Sequence, residues 1–248
     1  MLFAATIAIM TCPACVADDK LELSENQRDQ LKSLATNTRC RIGRERDALK
    51  RARMELLKVY YAYNLNENGV NIGNKKVSDA QLSLLNVHLD NEIAMRNILT
   101  ESQFQHFRLM MKRRMRNPQT HVLAPPEEAI LDRLPDKQML DSIAISAEQR
   151  KRLNSTLHNT DAINSLSTSS KQLLDLYSNY NFDTAAARKL INGIHSKQID
   201  LLRLQHKRQQ QIRTILSEKQ FKLLQQEIAK KLSEHRPKMR GWGRQGGR

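Results

Sequence analysis

The sequence predicts an all-α protein, and its composition carries this prediction. Good helix formers such as Leu, Lys, Arg, Gln, Ala and Glu dominate, while β-branched or aromatic runs of strand length are scarce. Only 4% of the residues are aromatic, and the chain holds 8 Gly and 6 Pro. Its 248 residues allow one or two domains, each with a real core. This composition excludes collagen-like, low-complexity and disulfide-scaffold proteins.

The N-terminal segment predicts export from the cytoplasm. Residues 1–17 contain no charged side chain, and the apolar run from Leu2 to Met10 is much shorter than the roughly 20 residues that span a bilayer. Small residues at Cys15 and Ala17 precede a polar stretch, which predicts signal-peptide cleavage after Ala17. A buried N-terminal helix is the alternative interpretation. We therefore expect a secreted chain with no membrane span after cleavage.

Cysteine usage is compatible with export. Cys12 and Cys15 have the CxxC spacing of redox or metal sites, but cleavage would remove both with the signal peptide. The mature chain then keeps only Cys40, so no internal disulfide is expected. This thiol is either buried and inert, which is the interpretation we favour, or able to bridge two chains.

An internal repeat defines the domain organisation. Three pairs of segments match: 56–64 with 173–181, 96–104 with 213–221, and 23–27 with 145–149. The first two pairs are 117 residues apart and the third is 122 residues apart, so the second copy lacks five residues near the end of its first helical segment. We therefore predict a tandem duplication of a unit of roughly 95 residues.

Proline and charge divide the chain in the same way. The predicted domains are a signal peptide (1–17), a first repeat (18–116), a Pro-rich acidic linker (117–142), a second repeat (143–236) and a basic, Gly-rich disordered tail (237–248). The linker holds 4 of the 6 prolines, and one short helix is expected there from Pro126 to Leu134. The linker carries 5 acidic and 2 basic residues, so the formal charge of +15 belongs to the repeats and the tail.

Each repeat begins and ends with a short motif that predicts a helix N-terminus. In the segment 99–104, Thr100 would cap the helix, Gln103 would complete a capping box, and Leu99 and Phe104 would form a hydrophobic staple. The equivalent residues elsewhere are Leu216, Ser217, Gln220 and Phe221, then Leu23, Ser24 and Gln27, and finally Ile145, Ser146 and Gln149. The same pattern at Val77, Ser78, Gln81 and Leu82 predicts a further helix start. Capping is a sufficient explanation of the motif, so its polar groups are not interpreted as catalytic.

Three helical segments are expected in each repeat. They span about 24–63, 78–98 and 101–115 in the first repeat, and about 146–180, 183–215 and 218–235 in the second. On the first segment, one helical face is formed by Ile42, Leu49, Ala52, Leu56, Tyr60 and Tyr63, which are spaced 7, 3, 4, 4 and 3. We expect this face, with its tyrosines near the hairpin turn, to pack in the core.

These features resemble the Spy and CpxP family of periplasmic stress proteins, which is characterised by LTxxQ motifs. Each repeat carries two such motifs, at 23–27 and 99–103, then at 145–149 and 216–220, and the resemblance covers about residues 21–116 and 143–236. It implies long helical hairpins in a curved, cradle-like dimer that binds unfolded clients without ATP or inhibits a stress-sensing kinase. Because this chain is duplicated, we expect either an intramolecular pseudo-dimer of its two repeats or a homodimer. No cofactor is expected.

Two basic runs contain the residues expected to bind clients. The first run consists of Arg39, Arg41, Arg44, Arg46, Lys50, Arg51 and Arg53, and the second consists of Arg108, Met110, Met111, Lys112, Arg113, Arg114 and Met115. Basic groups attract acidic, partly unfolded chains over long distances, and methionines supply adaptable contacts. The alternative is a solvated face that keeps the protein soluble. The sequence therefore predicts a periplasmic, ATP-independent chaperone or envelope-stress protein.

Two other binding functions remain open, and enzyme activity is not expected. Some members of the resembled family bind zinc or sense metals, and here His88 and Glu92 would share a helical face, but two ligands do not close a site, so no metal ligand is predicted. If the chain is not exported, its Gly- and Arg-rich tail and its pI near 10 favour nucleic-acid binding. The chain contains no GxSxG, P-loop, HExxH or dinucleotide fingerprint.

Overall fold

The computed structural model describes residues 21–115, 137–156 and 160–234, and all regular structure in these ranges is helical. The predicted all-α fold class is therefore confirmed. The helices of these ranges are α1 (Glu25–Tyr60), α2 (Glu67–Ile98), α3 (Glu101–Met115), α4 (Lys137–Ser142), α5 (Ala147–Thr156), α6 (Thr160–Ser178), α7 (Thr184–Ile215) and α8 (Glu218–Glu234). The predicted signal peptide at 1–17, the short helix at 126–134 and the tail at 237–248 lie outside the described residues.

Helices α1 and α2 form a long antiparallel hairpin. Side-chain pairs along the hairpin run in opposite directions: Thr38 Oγ1 donates to Asn91 Oδ1 over 2.8 Å, and near the turn Lys76 Nζ lies 2.7 Å from Glu55 Oε2. The predicted apolar face of α1 is buried from Ile42 to Tyr60. Tyr63 is not part of this face, because α1 ends at Tyr60.

The hairpin turn brings α1 and α2 into close approach at Gly73. A Cβ atom at this position would come within 2.8 Å of Leu56 Cδ1 and within 3.4 Å of Leu56 Cα. Because the nearest atoms include backbone, the contact has no room for a larger side chain. Gly73 therefore sets the spacing between the two helices at this point.

The predicted helix start at Ser78 is wrong. Helix α2 begins eleven residues earlier, where the Asn66 side chain accepts a hydrogen bond from Gly69 N at 3.0 Å. Asparagine is a strong N-cap, and the buried face of the helix already begins at Val70. Ser78 is consequently a buried residue inside α2, and the short Ser-x-x-Gln pattern there has no capping role.

The second copy also departs from the expected segments. Instead of one helix over about 146–180, the chain forms α5 and α6, with residues 157–159 outside the described part. Helix α4 lies within the segment predicted as the linker, of which residues 117–136 are not described. None of the helices in the described ranges has the length and hydropathy that crossing a membrane requires.

The chain divides into two compact units whose boundaries differ from those of the predicted repeats. Residues 1–123 and 157–210 belong to the first unit, and residues 124–156 and 211–248 belong to the second. Helix α6 and most of α7, which come from the second repeat, thus group with the first repeat. The core of the second unit consists of Met139, Leu140, Ile143, Leu153, Ile212, Ile215, Leu216, Phe221 and Leu224.

Candidate functional site

The LTxxQ-type motifs form the capping boxes that the sequence predicts. At the start of α1, Gln27 N donates to Ser24 Oγ over 3.2 Å, and Ser24 N donates to Gln27 Oε1 over 3.0 Å. At the start of α3, Thr100 N donates to Gln103 Oε1 over 3.0 Å. Ser146 with Gln149 and Ser217 with Gln220 make the same pair of bonds. The capping role of these four motifs is therefore confirmed.

The two motifs of the first repeat also bind each other, which the sequence did not predict. Gln27 Nε2 donates to Gln103 Oε1 over 2.8 Å and to Ile98 O over 2.8 Å. Gln103 Nε2 donates to Glu22 O over 3.2 Å. A carboxamide has two donors and two acceptor lone pairs, so one glutamine can cap its own helix and still bind the other motif. This glutamine pair joins the start of α1 to the α2–α3 junction.

The second unit contains the same glutamine pair. Gln149 Nε2 donates to Gln220 Oε1 over 3.0 Å and to Ile215 O over 2.8 Å, and Gln220 Nε2 donates to Ala144 O over 3.2 Å. Ala144 and Glu22 are the non-glycine residues with positive φ, at 27° and 45°, among those described. The backbone carbonyls that accept from Gln103 and Gln220 thus both belong to residues in the left-handed conformation, which is uncommon for residues other than glycine.

Removing one glutamine should test the pair directly. We expect Gln27→Ala to lower the free energy of unfolding by about 1 to 2 kcal/mol, because a capping bond and two partly buried acceptors lose their donor. Gln149→Ala should act in the same way in the second unit. Gln105→Ala, which removes an exposed glutamine of α3, is the control and should have an effect below about 0.5 kcal/mol. Urea unfolding followed by circular dichroism measures all three; an equal effect of Gln27→Ala and Gln105→Ala would contradict the prediction.

A buried charge cluster lies beside the first glutamine pair. The Arg96 guanidinium donates to the carbonyls of Tyr177, Asn179 and Tyr180 at the end of α6, over 2.7 to 2.9 Å. It also lies over the Phe104 ring, 4.4 Å from the centroid. Glu92 Oε2 accepts from Arg96 Nη1 at 2.8 Å, and burial lowers the pKa of Arg96. The cluster therefore holds the end of α6 against α2.

Arg108 is partly buried and Met110 is buried, which argues against their predicted role as client contacts. Arg108 Nη2 lies 2.5 Å from Glu92 Oε2 and donates to Tyr177 O over 2.7 Å. Met110 is 8% exposed and packs in a cluster with Phe104. Both side chains point to the interior because α3 packs against other helices on this face. The backbones of Met111, Lys112, Arg113, Arg114 and Met115 belong to α3, and their side chains lie outside the described part.

The basic run on α1 is mostly exposed, as expected. Exposed members are Arg39, Arg44, Arg46, Lys50 and Arg51, while Arg53 is half-buried. Arg41 pairs with Asp90, its Nη2 lying 2.7 Å from Asp90 Oδ2. Arg44, Arg46 and Arg51 form no ion pair with any residue that the structure describes. The exposed large apolar side chains of this hairpin include Met54 of α1 at 44% and Ile72 of α2 at 51%.

The sequence left two further possibilities to check in the structure: a metal site at His88 and Glu92, and a buried thiol at Cys40. His88 and Glu92 are both buried, and Glu92 is occupied by two arginines. Within 21–115, 137–156 and 160–234, no group of three or more His, Cys, Asp or Glu is placed to hold a metal ion. Cys40 is exposed, so the favoured interpretation of a buried thiol is wrong. The helix bears Cys40 on its outer face, next to the buried Thr38 and Ile42 positions.

Two apolar clusters of the first unit have matching members. The matching pairs are Leu49 and Leu166, Leu56 and Leu173, Tyr60 and Tyr177, Val70 and Ala187, Val77 and Ile194, and Leu202 and Leu85. The members of every pair are 117 residues apart, the shift of the sequence repeat. We call residues 43–61, 67–80 and 199–210 the first hairpin bundle, and their equivalents at 160–178, 184–197 and 82–93 the second hairpin bundle. Each bundle contains a helical hairpin from one repeat and a helix segment from the other.

A hydrogen bond joins the two bundles. Ser78 Oγ and His195 Nε2 share a hydrogen bond of 2.7 Å. These two residues are themselves 117 apart, so each is the equivalent of the other. A contact between equivalent positions is what an approximate two-fold axis produces at the axis itself.

The fold and the site define an all-α protein with two glutamine-paired helix junctions and an exposed basic face on α1. A scan against models of protein families, a search of curated proteins and a search of solved structures each found no match to this chain.

Proposed function

We propose that this chain is a periplasmic, ATP-independent chaperone or envelope-stress protein that binds unfolded clients. The observation that carries the proposal is the exposed basic surface of α1. Arg44 and Arg51 lie seven residues apart on one helical face, Arg46 is exposed on a different face, and none of the three forms an ion pair with described residues. Exposed arginines attract acidic chains, and their long stems offer apolar surface as well as charge. Exposed Met54 adds an adaptable apolar contact on the same helix.

A binding surface with fixed spacing between its side chains requires a rigid backbone, and α1 is held rigid by its packing. The opposite side of the helix is buried at Leu49, Ala52 and Leu56. The capping box and the glutamine pair hold its N-terminus. The arginines therefore extend from a rigid helix rather than from a loop, so their separation is preset before a client arrives.

We further propose that the two repeats form an intramolecular pseudo-dimer. Support comes from the apolar clusters with matching members, and from the Ser78–His195 contact between equivalent positions. Size-exclusion chromatography with light scattering should give the mass of one chain. A tight homodimer whose two repeats separate freely within each chain would contradict this arrangement.

An aggregation assay tests the chaperone function. The purified protein, at an equimolar ratio, should suppress the aggregation of a chemically denatured model protein in the absence of ATP. Raising the salt from about 50 mM to about 500 mM should weaken the suppression, because screening shortens the reach of the arginine charges. Undiminished aggregation at the equimolar ratio would refute the proposal, and suppression that is independent of salt would refute the role of charge.

A further inference from the structure

We propose that client binding is confined to the first hairpin bundle, and that its ligand is an unfolded polypeptide segment carrying both acidic and apolar side chains. This inference rests on the proposed function and narrows it to one of two equivalent surfaces. The two bundles share their buried residues, so they offer similar scaffolds. Their surfaces differ in charge and in exposed apolar groups, which are the properties that decide binding.

The two hairpin bundles have equal length but differ strongly in charge. The first hairpin bundle carries 11 basic and 6 acidic residues, whereas the second carries 4 of each. The formal charges are therefore +5 and 0. Since the whole repeats have nearly equal charge, with 18 basic and 11 acidic residues in 21–116 and 16 and 8 in 143–236, the contrast is local to the bundles. The sum for the second bundle includes Glu92, which is buried and pairs with Arg96 and Arg108 outside the bundle. An acidic segment is therefore attracted more strongly to the first bundle than to the second.

Position by position, the arginines of α1 have no basic equivalent on α6. Arg44 is replaced by Asp161 and Arg51 by Thr168, and all four residues are exposed. Arg46 is replaced by the exposed Ile163. Meanwhile the buried Leu56 and Tyr60 are retained as Leu173 and Tyr177. Packing therefore does not impose the arginines, because the same hairpin is built without them.

Exposed large apolar side chains are more numerous in the first bundle, which has Met54, Tyr61 and Ile72, than in the second, which has Ile163. Met54 and Ile72 of the first bundle are 44% and 51% exposed. Their equivalents in the second bundle are the exposed Lys171 and Lys189. Arg44, Arg51 and Met54 are spaced 7 and 3 residues apart, so they share one face of α1. Such a mixed face complements a chain that carries acidic and apolar side chains, whereas a nucleic-acid backbone would use the charge alone. The observations therefore favour a polypeptide ligand.

A pair of exchange variants tests the inference in the full-length protein. The first replaces residues of the first bundle by their equivalents (R44D/R51T/M54K), and the second makes the reverse exchange (D161R/T168R/K171M). All six positions are exposed, so both variants should fold, which circular dichroism and urea unfolding check. The probe is reduced, carboxymethylated α-lactalbumin, an acidic unfolded chain, with Kd measured by fluorescence anisotropy. A single-stranded oligothymidine of similar charge is the second probe.

The expected result is that R44D/R51T/M54K weakens binding of the polypeptide by at least about tenfold, while D161R/T168R/K171M leaves Kd within about twofold or tightens it. The inference is overturned if the first variant stays within about twofold of the wild type, or if the reverse exchange weakens binding as much. Tighter binding of the oligothymidine than of the polypeptide would overturn the ligand class. If the wild type binds no unfolded polypeptide and suppresses no aggregation, the proposed function itself fails, which is a different result from equal binding by all three proteins.

Discussion

Replacing Glu92 by alanine should lower the free energy of unfolding by about 3 to 5 kcal/mol. The Glu92 side chain is 3% exposed and its Oε2 contacts both Arg96 and Arg108. Without the carboxylate, two guanidinium groups remain close together in the interior with no anion to balance them. Their mutual repulsion should also loosen the hold of Arg96 on the end of α6.

A residue two positions away supplies the control for Glu92→Ala. Asp90 also pairs with an arginine, Arg41, but its side chain is 47% exposed. Asp90→Ala should therefore change the free energy of unfolding by less than about 1 kcal/mol, as exposed ion pairs do. Urea unfolding followed by circular dichroism compares the two. Equal effects would mean that the buried cluster does not depend on its carboxylate.

Lowering the pH should destabilise the protein through His88. Burial lowers the pKa of His88 from 6.5 to about 4, and the positive charge of Arg46 adds to the effect. In the unfolded chain the imidazole takes up a proton below pH 6.5, whereas in the folded protein it resists protonation until about pH 4. The unfolded state thus binds more protons in this window, and stability is lost as the pH falls. The loss attributable to His88 should approach about 3 kcal/mol at pH 4.

The variant His88→Gln isolates this effect from the other titrating groups. Glutamine is the residue at the equivalent position of the second copy, Gln205, so the helix accommodates it there. Free energies of unfolding of the wild type and of His88→Gln should be measured between pH 7 and pH 4. Their difference should change by about 3 kcal/mol across the window, with the variant less sensitive to acid. Parallel pH profiles would show that His88 is not the source of the acid sensitivity.

Capping and helical periodicity were predictable from the sequence because they act over a few residues. The capping boxes of Ser24 with Gln27 and Thr100 with Gln103 depend on a spacing of three. The pairing of Gln27 with Gln103 was not predictable in this way, since it joins residues 76 apart. The sequence nevertheless contained a signal of this pairing. A capping box also accepts glutamate, yet both motifs of each repeat end in glutamine, whose carboxamide can donate as well as accept.

The sequence-based predictions failed where one short pattern is compatible with more than one structural role. Ser78 has the spacing of a cap, but Asn66 begins the helix earlier and leaves Ser78 inside it. Arg108 stands in a basic run, yet its helix turns it toward Glu92 and Tyr177 O, which are distant in sequence. Composition counts charges without regard to the helical face that carries them. Burial of an individual arginine depends on tertiary packing, which short patterns do not contain.

In the proposed pseudo-dimer, the bond between Ser78 and His195 joins equivalent positions of two repeats within one polypeptide. In a dimer of identical chains, a residue on the symmetry axis meets only a second copy of itself, so the partners must be alike. Here one position supplies a hydroxyl and the other an imidazole. In the proposed pseudo-dimer, the axis is therefore freed from self-complementarity, and the two repeats can diverge at this position.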